Sequence, residues 1–268
     1  MDLKIFNVEH GACALLEADN RARMMIDCGH NASFGWRPGS YLVSQNIFRL
    51  EMLAITNYDE DHVSGIENLF DSVDVTWLKR NVSVNGKTLK SLKSEDGMGA
   101  GIDRLVRAID YEFTGSVGGA PYPTFSGLVE SSFSNSYPTF DDENNLSLVL
   151  HLNCHGVGVL FTGDLERAGW LALLEREDFR RVLRNTNIFV ASHHGRANGC
   201  CEEVFEYCDP TFIVISDKGY MHETQQTLPF YRRFARGGYF RGENRFVLTT
   251  RNDGGIGFNF SPTNWYAY

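Results

Sequence analysis

The sequence contains no apolar run of the length that crosses a membrane, which needs about 18 or more consecutive apolar residues. Its first residues alternate like a strand and lack the basic start and long apolar core of a signal peptide. No two of its six cysteines have the Cys-x-x-Cys spacing of a structural zinc site, so reduced thiols are the simplest interpretation. We therefore expect a cytoplasmic protein without a membrane segment.

Basic residues are in the minority: 25 Lys and Arg stand against 34 Asp and Glu, and the formal net charge is −9. Nonspecific nucleic-acid binding depends on basic side chains that neutralise phosphates, so this balance argues against a broadly basic surface. A local basic groove remains compatible with it, as do carboxylates whose charge a metal ion offsets.

Strand-like and helical segments follow one another without an internal repeat or a dividing linker, so we expect a single domain over residues 1–268. Residues 81–101, 114–123 and 133–145 are polar or rich in Gly and Pro. They are expected to be loops over one edge of the domain, in part a lid.

A dense group of oxygen and nitrogen donors follows the apolar, strand-like residues 50–55. Asn57, Asp59 and Asp61 alternate through the turn, so their side chains point to one side, and His62 begins a helix beside them. Carboxylates this close repel one another unless a cation offsets their charge. The pattern predicts a divalent metal site; the alternative is a solvated acidic turn with a helix-capping Asp.

Two later segments place similar residues at the ends of predicted strands. They are Thr162-Gly163-Asp164 and Ser192-His193-His194-Gly195. Loops at strand ends are where a rigid sheet positions functional side chains, and the glycine lets the backbone before the aspartate approach closely. One carboxylate in such a turn can bridge two cations that clamp a phosphoryl group. Taken singly, the aspartate could instead cap a helix, and the histidines could be a core and a surface residue.

The order of these motifs resembles the metallo-β-lactamase superfamily. The matching motifs are Asp27-Cys28-Gly29, the Asp-x-Asp-His-x-x-Gly that begins at Asp59, Thr162-Gly163-Asp164, and Ser192-His193-His194-Gly195. Within that superfamily the chain is most similar to the hydrolase domain of the DNA-uptake competence protein family, over nearly its whole length. The resemblance implies an α/β (α+β) fold of the αββα type, in which two mixed sheets pack face to face with helices on the outer faces.

The resemblance also implies a centre of one or two divalent ions, Zn²⁺ or Mn²⁺ with Mg²⁺ as a further option. The residues that it assigns to metal are Asn57, Asp59, Asp61, His62, Asp164, His193 and His194. Asn57 and Asp59 would belong to one ion, and Asp164 would bridge. Asp61, His62 and one of the two adjacent histidines would belong to the other ion. Asp61, Asp164 and His222 would act in catalysis.

Further residues belong to the surroundings of the ions in the same interpretation. His10 would line the entrance, Arg196 would hold a substrate phosphate, and Tyr58 would stack on a base or sugar unless it packs in the core. Asp27 is expected to hold a ligand loop in place rather than to bind metal.

The first metal position departs from the family pattern. The family has His where Asn57 stands, and its further histidine has no evident counterpart, because His151 and His155 lie in a hairpin and are expected to be structural. Asn144 or Asn145 is a possible substitute. A metal position this rich in oxygen donors favours Mn²⁺ or Mg²⁺ over Zn²⁺. The alternative is that this position remains empty.

Three hypotheses about function follow. The first is a metal-dependent phosphodiester hydrolase, in particular a nuclease, acting on nucleic acid. The second is a hydrolase of a small nucleotide or other phosphoester, which suits the acidic composition. The third, prompted by Asn57, is a binding or regulatory module without catalysis. Members of the uptake family are joined to membrane segments, so we also expect a separately encoded protein partner.

Overall fold

The computed structural model describes residues 1–94, 97–114, 121–219 and 224–268. The strands are β1 (Asp2–Ile5), β2 (Ala14–Glu17), β3 (Arg23–Ile26), β4 (Arg49–Leu50), β5 (Met52–Ala54), β6 (Asp74–Val75), β7 (Leu78–Lys79), β8 (Leu128–Phe133), β9 (Val149–Cys154), β10 (Val157–Phe161), β11 (Thr186–Val190), β12 (Phe212–Ile215), β13 (Gly238–Phe240), β14 (Glu243–Arg245), β15 (Val247–Thr249), β16 (Ile256–Phe260) and β17 (Trp265–Ala267).

The helices are short and lie between the strands. The α-helices are α1 (Pro38–Ser44), α2 (Glu60–Val63), α3 (Ile66–Ser72), α4 (Gly86–Leu92), α5 (Ala100–Arg107), α6 (Arg167–Leu174), α7 (Glu177–Arg184), α8 (Leu228–Arg232) and α9 (Thr250–Asp253). A π-helical turn covers Ala108–Glu112, and 3₁₀ turns cover Ser192–Gly195, Ala197–Gly199, Glu202–Glu206 and Thr224–Thr227. None of the helices in the described ranges is long and apolar enough to span a bilayer.

Two sheets form the centre of the described structure. The first has the strand order β17-β16-β1-β2-β3-β5-β7, in which β3, β5 and β7 are parallel and the other neighbours are antiparallel. The second has the order β15-β12-β11-β10-β9-β8, in which β10, β11, β12 and β15 are parallel and β8 and β9 antiparallel. Both sheets are mixed, as the resemblance implied.

The inner faces of the two sheets share one apolar core. Leu16 and Met24 of the first sheet belong to the same buried cluster as Leu152 and Val159 of the second. Every residue of β10 is buried. Because both faces of this strand are covered, its sequence is a continuous apolar run rather than an alternating pattern.

Helices cover the outer face of each sheet. Met25 and Leu53 of the first sheet cluster with Leu105 of α5, and Phe189 of the second sheet clusters with Trp170 of α6. The layers therefore run helix, sheet, sheet, helix. This arrangement confirms the αββα sandwich expected from the sequence.

The helix α4 and the strand β8 are among the elements for which the sequence predicted no helix or strand. The helix α4 falls within residues 81–101, and it begins where the Asn85 side chain accepts a hydrogen bond of 2.9 Å from the Thr88 amide. The strand β8 pairs with β9 at the edge of the second sheet, where Val129 faces solvent. The prediction of a loop over residues 81–101 is thus partly wrong, because the capped helix α4 forms there. Of the loop predicted at 114–123, residues 115–120 lie outside the described residues.

Candidate metal centre

Loops from both sheets meet at one end of the sandwich. The turn after β5, in the first sheet, carries Asp61 and His62 at the start of α2. In the second sheet, Asp164 follows β10, and His194 lies in the 3₁₀ turn after β11. One ligand atom from each of these four residues lies within 4.8 Å of the other three. The ends of strands in two different sheets thus supply one compact group of donors.

The four side chains offer two imidazole nitrogens and two carboxylates. Nε2 of His62 lies 2.9 Å from Oδ1 of Asp164. Nε2 of His194 lies 3.2 Å from Oδ2 of Asp61 and 3.5 Å from Oδ1 of Asp164, yet this buried atom makes no hydrogen bond among the described residues. Buried polar atoms are normally satisfied, so an unsatisfied nitrogen facing two carboxylates fits a divalent cation.

Charges within the group keep the carboxylates ionised despite their burial. Burial opposes ionisation of Asp61, but the imidazole of His194, 3.2 Å away, lowers its pKa to about 2. The pKa of Asp164 is also lowered against complete burial, because His62 and His194 lie beside it. Both residues are therefore anionic at neutral pH, as oxygen ligands must be.

Asp27 contacts a member of this group from behind. Its Oδ2 lies 2.9 Å from Nδ1 of His62, and its Oδ1 accepts a hydrogen bond of 2.7 Å from the Thr56 amide. The Thr56 hydroxyl donates to the same carboxylate. The buried carboxylate thus orients the imidazole so that Nε2 faces the centre, and it lies outside the four-residue group.

The backbone beside the centre adopts conformations that most residues avoid. His193 and His194 have φ values of 51° and 53°, in the left-handed region, where each non-glycine residue costs about 1–3 kcal/mol. Contacts hold them there: the His193 amide donates to the Gly163 carbonyl at 3.1 Å, and Nδ1 of His194 lies 3.0 Å from the Ser216 carbonyl. The strain turns two consecutive side chains toward the centre.

A family model for the metallo-beta-lactamase superfamily matches residues 7–200. The chain belongs to this superfamily. Membership and the four-residue group together support a superfamily metallo-hydrolase with a candidate divalent metal site at Asp61, His62, Asp164 and His194.

Individual relatives are more distant. ComE operon protein 3 of Bacillus subtilis (strain 168) is 26% identical over 238 residues, which cover 80% of this chain and 28% of that protein. The chain thus spans about a quarter of that relative's length. Among solved structures, the metallo-beta-lactamase fold protein YhfI from Bacillus subtilis aligns with a TM-score of 0.50 at 9% identity, over 94% of this chain and 98% of that one. A mutant of the CmlA β-hydroxylase aligns with a TM-score of 0.53 at 9% identity, over 92% of this chain and 52% of that one. These two structures share the fold.

The two residues expected at the first metal position of the superfamily are engaged elsewhere. Asn57 is fully buried; its Nδ2 donates to Ser147 at 3.0 Å, and its Oδ1 accepts from the Asp59 amide at 2.7 Å. The Asp59 carboxylate pairs with the ammonium of Lys93, which also lies 2.6 Å from Oε1 of Glu143. The donor atoms expected to bind the first metal ion are thus occupied, Oδ1 of Asn57 by an amide hydrogen and the Asp59 carboxylate by an ammonium.

Arg196 joins two histidines at the mouth of the centre. Its Nη1 lies 2.9 Å from Nε2 of His193, and its Nη2 lies 2.9 Å from Nε2 of His10. Burial lowers the pKa of His193 to about 4, so its ring is neutral and accepts the guanidinium hydrogen bond. Nε2 of His10 also lies 3.9 Å from Oδ2 of Asp61, at the edge of the group. The geometry thus uses His194 as the candidate ligand and His193 as the partner of the arginine.

Tyr58 lies in the core. It is 1% exposed, and its hydroxyl donates to the Asn81 carbonyl at 2.9 Å, which favours core packing, the alternative to substrate contact left open above. The side chain between Asn57 and Asp59 can point inward because consecutive positions of an extended turn face opposite sides. His222, expected to act in catalysis, lies outside the described residues.

The residues considered as a further ligand have other partners. Nδ2 of Asn144 donates to Glu166 at 3.2 Å, and Oδ1 of Asn145 accepts from the Gly169 amide at 2.7 Å. His155 pairs with Asp19 at 2.6 Å, whereas His151 is buried in β9, where its Nε2 has no hydrogen-bond partner among the described residues. Lys93 is the residue that sequence reasoning missed, and no motif in its polar surroundings marks it.

Proposed function

We propose that this chain is a metal-dependent phosphodiester hydrolase, in particular a nuclease. The observation that carries the proposal is the four-residue group of Asp61, His62, Asp164 and His194, with a fixed guanidinium beside it. A divalent cation bound there would act as a Lewis acid and lower the pKa of water. Two imidazoles and two carboxylates suit Zn²⁺ and Mn²⁺, and Mg²⁺ less well.

Arg196 supports a phosphate-containing substrate. Its two hydrogen-bonding partners are imidazoles, and it forms no ion pair in the part of the chain that the structure describes. No carboxylate of the described residues therefore pairs with its positive charge. A guanidinium in this condition binds phosphate oxygens through two parallel N–H donors. His10 and His193 position it, and we assign it to the non-bridging oxygens of the substrate.

Two substrate classes compete within this proposal. The resemblance to the competence family favours nucleic acid, and the net charge of −9 favours a small nucleotide or another phosphoester. Salt separates them, because the affinity for nucleic acid falls steeply with ionic strength as counterions are released. We propose nucleic acid as the substrate class. We also propose that a separately encoded protein acts together with this chain.

The test begins with protein stripped of metal and resupplied with Mn²⁺, Zn²⁺ or Mg²⁺, with bis(p-nitrophenyl) phosphate as substrate. We expect hydrolysis that requires metal and disappears in Asp164→Ala. Asp178→Ala removes an exposed carboxylate on α7 and serves as the matched control, with unchanged turnover expected.

Normal turnover in Asp164→Ala would overturn the site assignment. If the protein binds metal but no metal restores hydrolysis, the third hypothesis, a binding or regulatory module without catalysis, becomes the better one. If hydrolysis is present, a panel of single-stranded and double-stranded nucleic acids and small nucleotides, assayed at several salt concentrations, decides between the substrate classes.

A further inference from the structure

A buried lysine lies next to the candidate metal centre. The Lys93 side chain is only 4% exposed, and its ammonium contacts the carboxylates of Asp59 and Glu143. Two carboxylates in contact with the buried ammonium offset its charge. A buried ammonium is costly unless it is paired in this way.

This ion-paired group is adjacent to the metal centre and is connected to it through shared hydrogen bonds. Asp59 lies two residues before Asp61, and the Ser147 hydroxyl accepts from both Nδ2 of Asn57 and the amide of Asp164, each at 3.0 Å. Nδ2 of Asn57 also lies 3.3 Å from the Glu143 carbonyl. The lysine therefore lies beside the loops that form the metal centre.

The donor set around this lysine does not fit a second divalent cation. The amide of Asn57 presents N–H donors to its surroundings, and its only ligand atom, Oδ1, already accepts the Asp59 amide hydrogen. The remaining carboxylates are held by the ammonium through charge-assisted hydrogen bonds, the stronger kind. A second cation would have to displace the ammonium and would leave it without a partner.

We propose that this chain binds one divalent cation and that the Lys93 ammonium takes the electrostatic place of a second. The inference rests on the proposed metal-dependent function and states how that site departs from the dinuclear centre that the resemblance implied. The ammonium provides the positive charge beside Asp59, whereas only the group containing Asp164 retains ligands for a metal ion.

The number of bound ions tests the inference directly. Metal-stripped protein is titrated with Mn²⁺ and with Zn²⁺ in a calorimeter, and the metal retained after desalting is measured by mass spectrometry. We expect one ion per wild-type chain. Lys93→Met keeps the length of the side chain, removes the charge and is expected to bind two. Lys90→Met, at an exposed position of α4, is the matched control and should bind one.

A double variant identifies where the additional ion binds. Adding Asp59→Asn to Lys93→Met removes a carboxylate that the second cation needs, so binding should return to one ion per chain. Two ions in the wild type would overturn the inference. So would one ion in a folded Lys93→Met, because the ammonium would then not be what excludes the second.

Unfolding of Lys93→Met would itself be informative. Under the proposal, Mn²⁺ replaces the lost charge and restores the melting transition, whereas Lys93→Arg folds without metal. Failure of metal to restore Lys93→Met, with Lys93→Arg folded, would count against the proposal. Counting bound ions does not require turnover. An inactive protein that binds one ion would contradict the proposed hydrolysis and leave this inference standing. An active protein that binds two ions would support the hydrolysis and overturn this inference.

Discussion

Asp27 and His62 are joined by a 2.9 Å contact between Oδ2 of the carboxylate and Nδ1 of the ring. The opposite ring nitrogen lies at the same distance from Asp164. Burial opposes the charge of His62, but the carboxylates of Asp164 and Asp27 raise its pKa, so a bound metal ion would displace the Nε2 proton while the Nδ1–H stays directed at Asp27. The carboxylate thereby selects the tautomer that can bind metal.

Replacing this carboxylate should weaken metal binding without unfolding the protein. We expect Asp27→Asn to lower the affinity for Mn²⁺ or Zn²⁺ by about 10–100-fold, the usual effect of losing a group that orients a ligand. Calorimetric titration measures this change. Asp19→Asn, at a surface ion pair, is the control and should bind as the wild type does. Equal affinities in both variants would show that Asp27 does not orient His62.

Arg196→Ala should act mainly on substrate binding. The variant removes the guanidinium held between His10 and His193, so we expect KM for a phosphodiester to rise about 10-fold or more, consistent with the energy of a charge-assisted hydrogen bond. Steady-state kinetics with bis(p-nitrophenyl) phosphate provide the measurement. Arg233→Ala, at an exposed arginine, should leave KM unchanged. An unchanged KM in Arg196→Ala would remove this residue from the substrate site.

Gly163→Ala should destabilise the protein and the centre together. Gly163 has a φ of 53°, and a Cβ there would lie 2.8 Å from the Thr56 carbonyl oxygen and 2.9 Å from Oγ of Ser147. We expect the free energy of unfolding to fall by about 1–3 kcal/mol, together with metal affinity, because the backbone before Asp164 must shift. Urea unfolding measures the first effect.

Gly254 provides a comparison that separates strain from crowding. Its φ is 69° and its ψ −142°, a region close to one that only glycine adopts readily, but a Cβ there meets no atom within 4 Å, so Gly254→Ala should cost about 1–3 kcal/mol of backbone strain and leave metal affinity unchanged. Equal losses of metal affinity in the two variants would indicate that close packing around Gly163 is unimportant for the centre.

Tyr58→Phe tests whether this residue has a structural role only. The change removes the hydrogen bond to the Asn81 carbonyl, which retains a second donor from Arg80 at 3.0 Å. We expect a loss of about 1 kcal/mol in the free energy of unfolding and unchanged kcat and KM. A selective rise in KM would instead support the original expectation that this ring contacts substrate.

The hairpin of β9 and β10 and the motifs at the strand ends are predictable from sequence for a physical reason. Buried strands need apolar runs, and the donor residues that follow them stand out against those runs. The strand β8 lacks this contrast because it forms an edge: only Phe133 among its residues is buried, so its pattern resembles a polar loop.

The partners of Asp59 and His193 depend on distant parts of the chain. Lys93 lies 34 residues from Asp59 along the sequence, and only the packing of the segment after α4 brings its ammonium to the centre. The choice between His193 and His194 depends on two left-handed backbone conformations that non-glycine residues rarely adopt. Local sequence carries no signal of either relationship.

The four candidate ligands come from the two opposed sheets, with Asp61 and His62 in one loop and Asp164 and His194 in loops of the other sheet. Binding a cation there would add to the cohesion between the sheets, because a ligand that binds only the folded state stabilises it by about 2.7 kcal/mol when its concentration is 100 times Kd. The lifetime of the folded chain against proteases would then follow the supply of the ion. Metal depletion would lower the amount of protein as well as its activity.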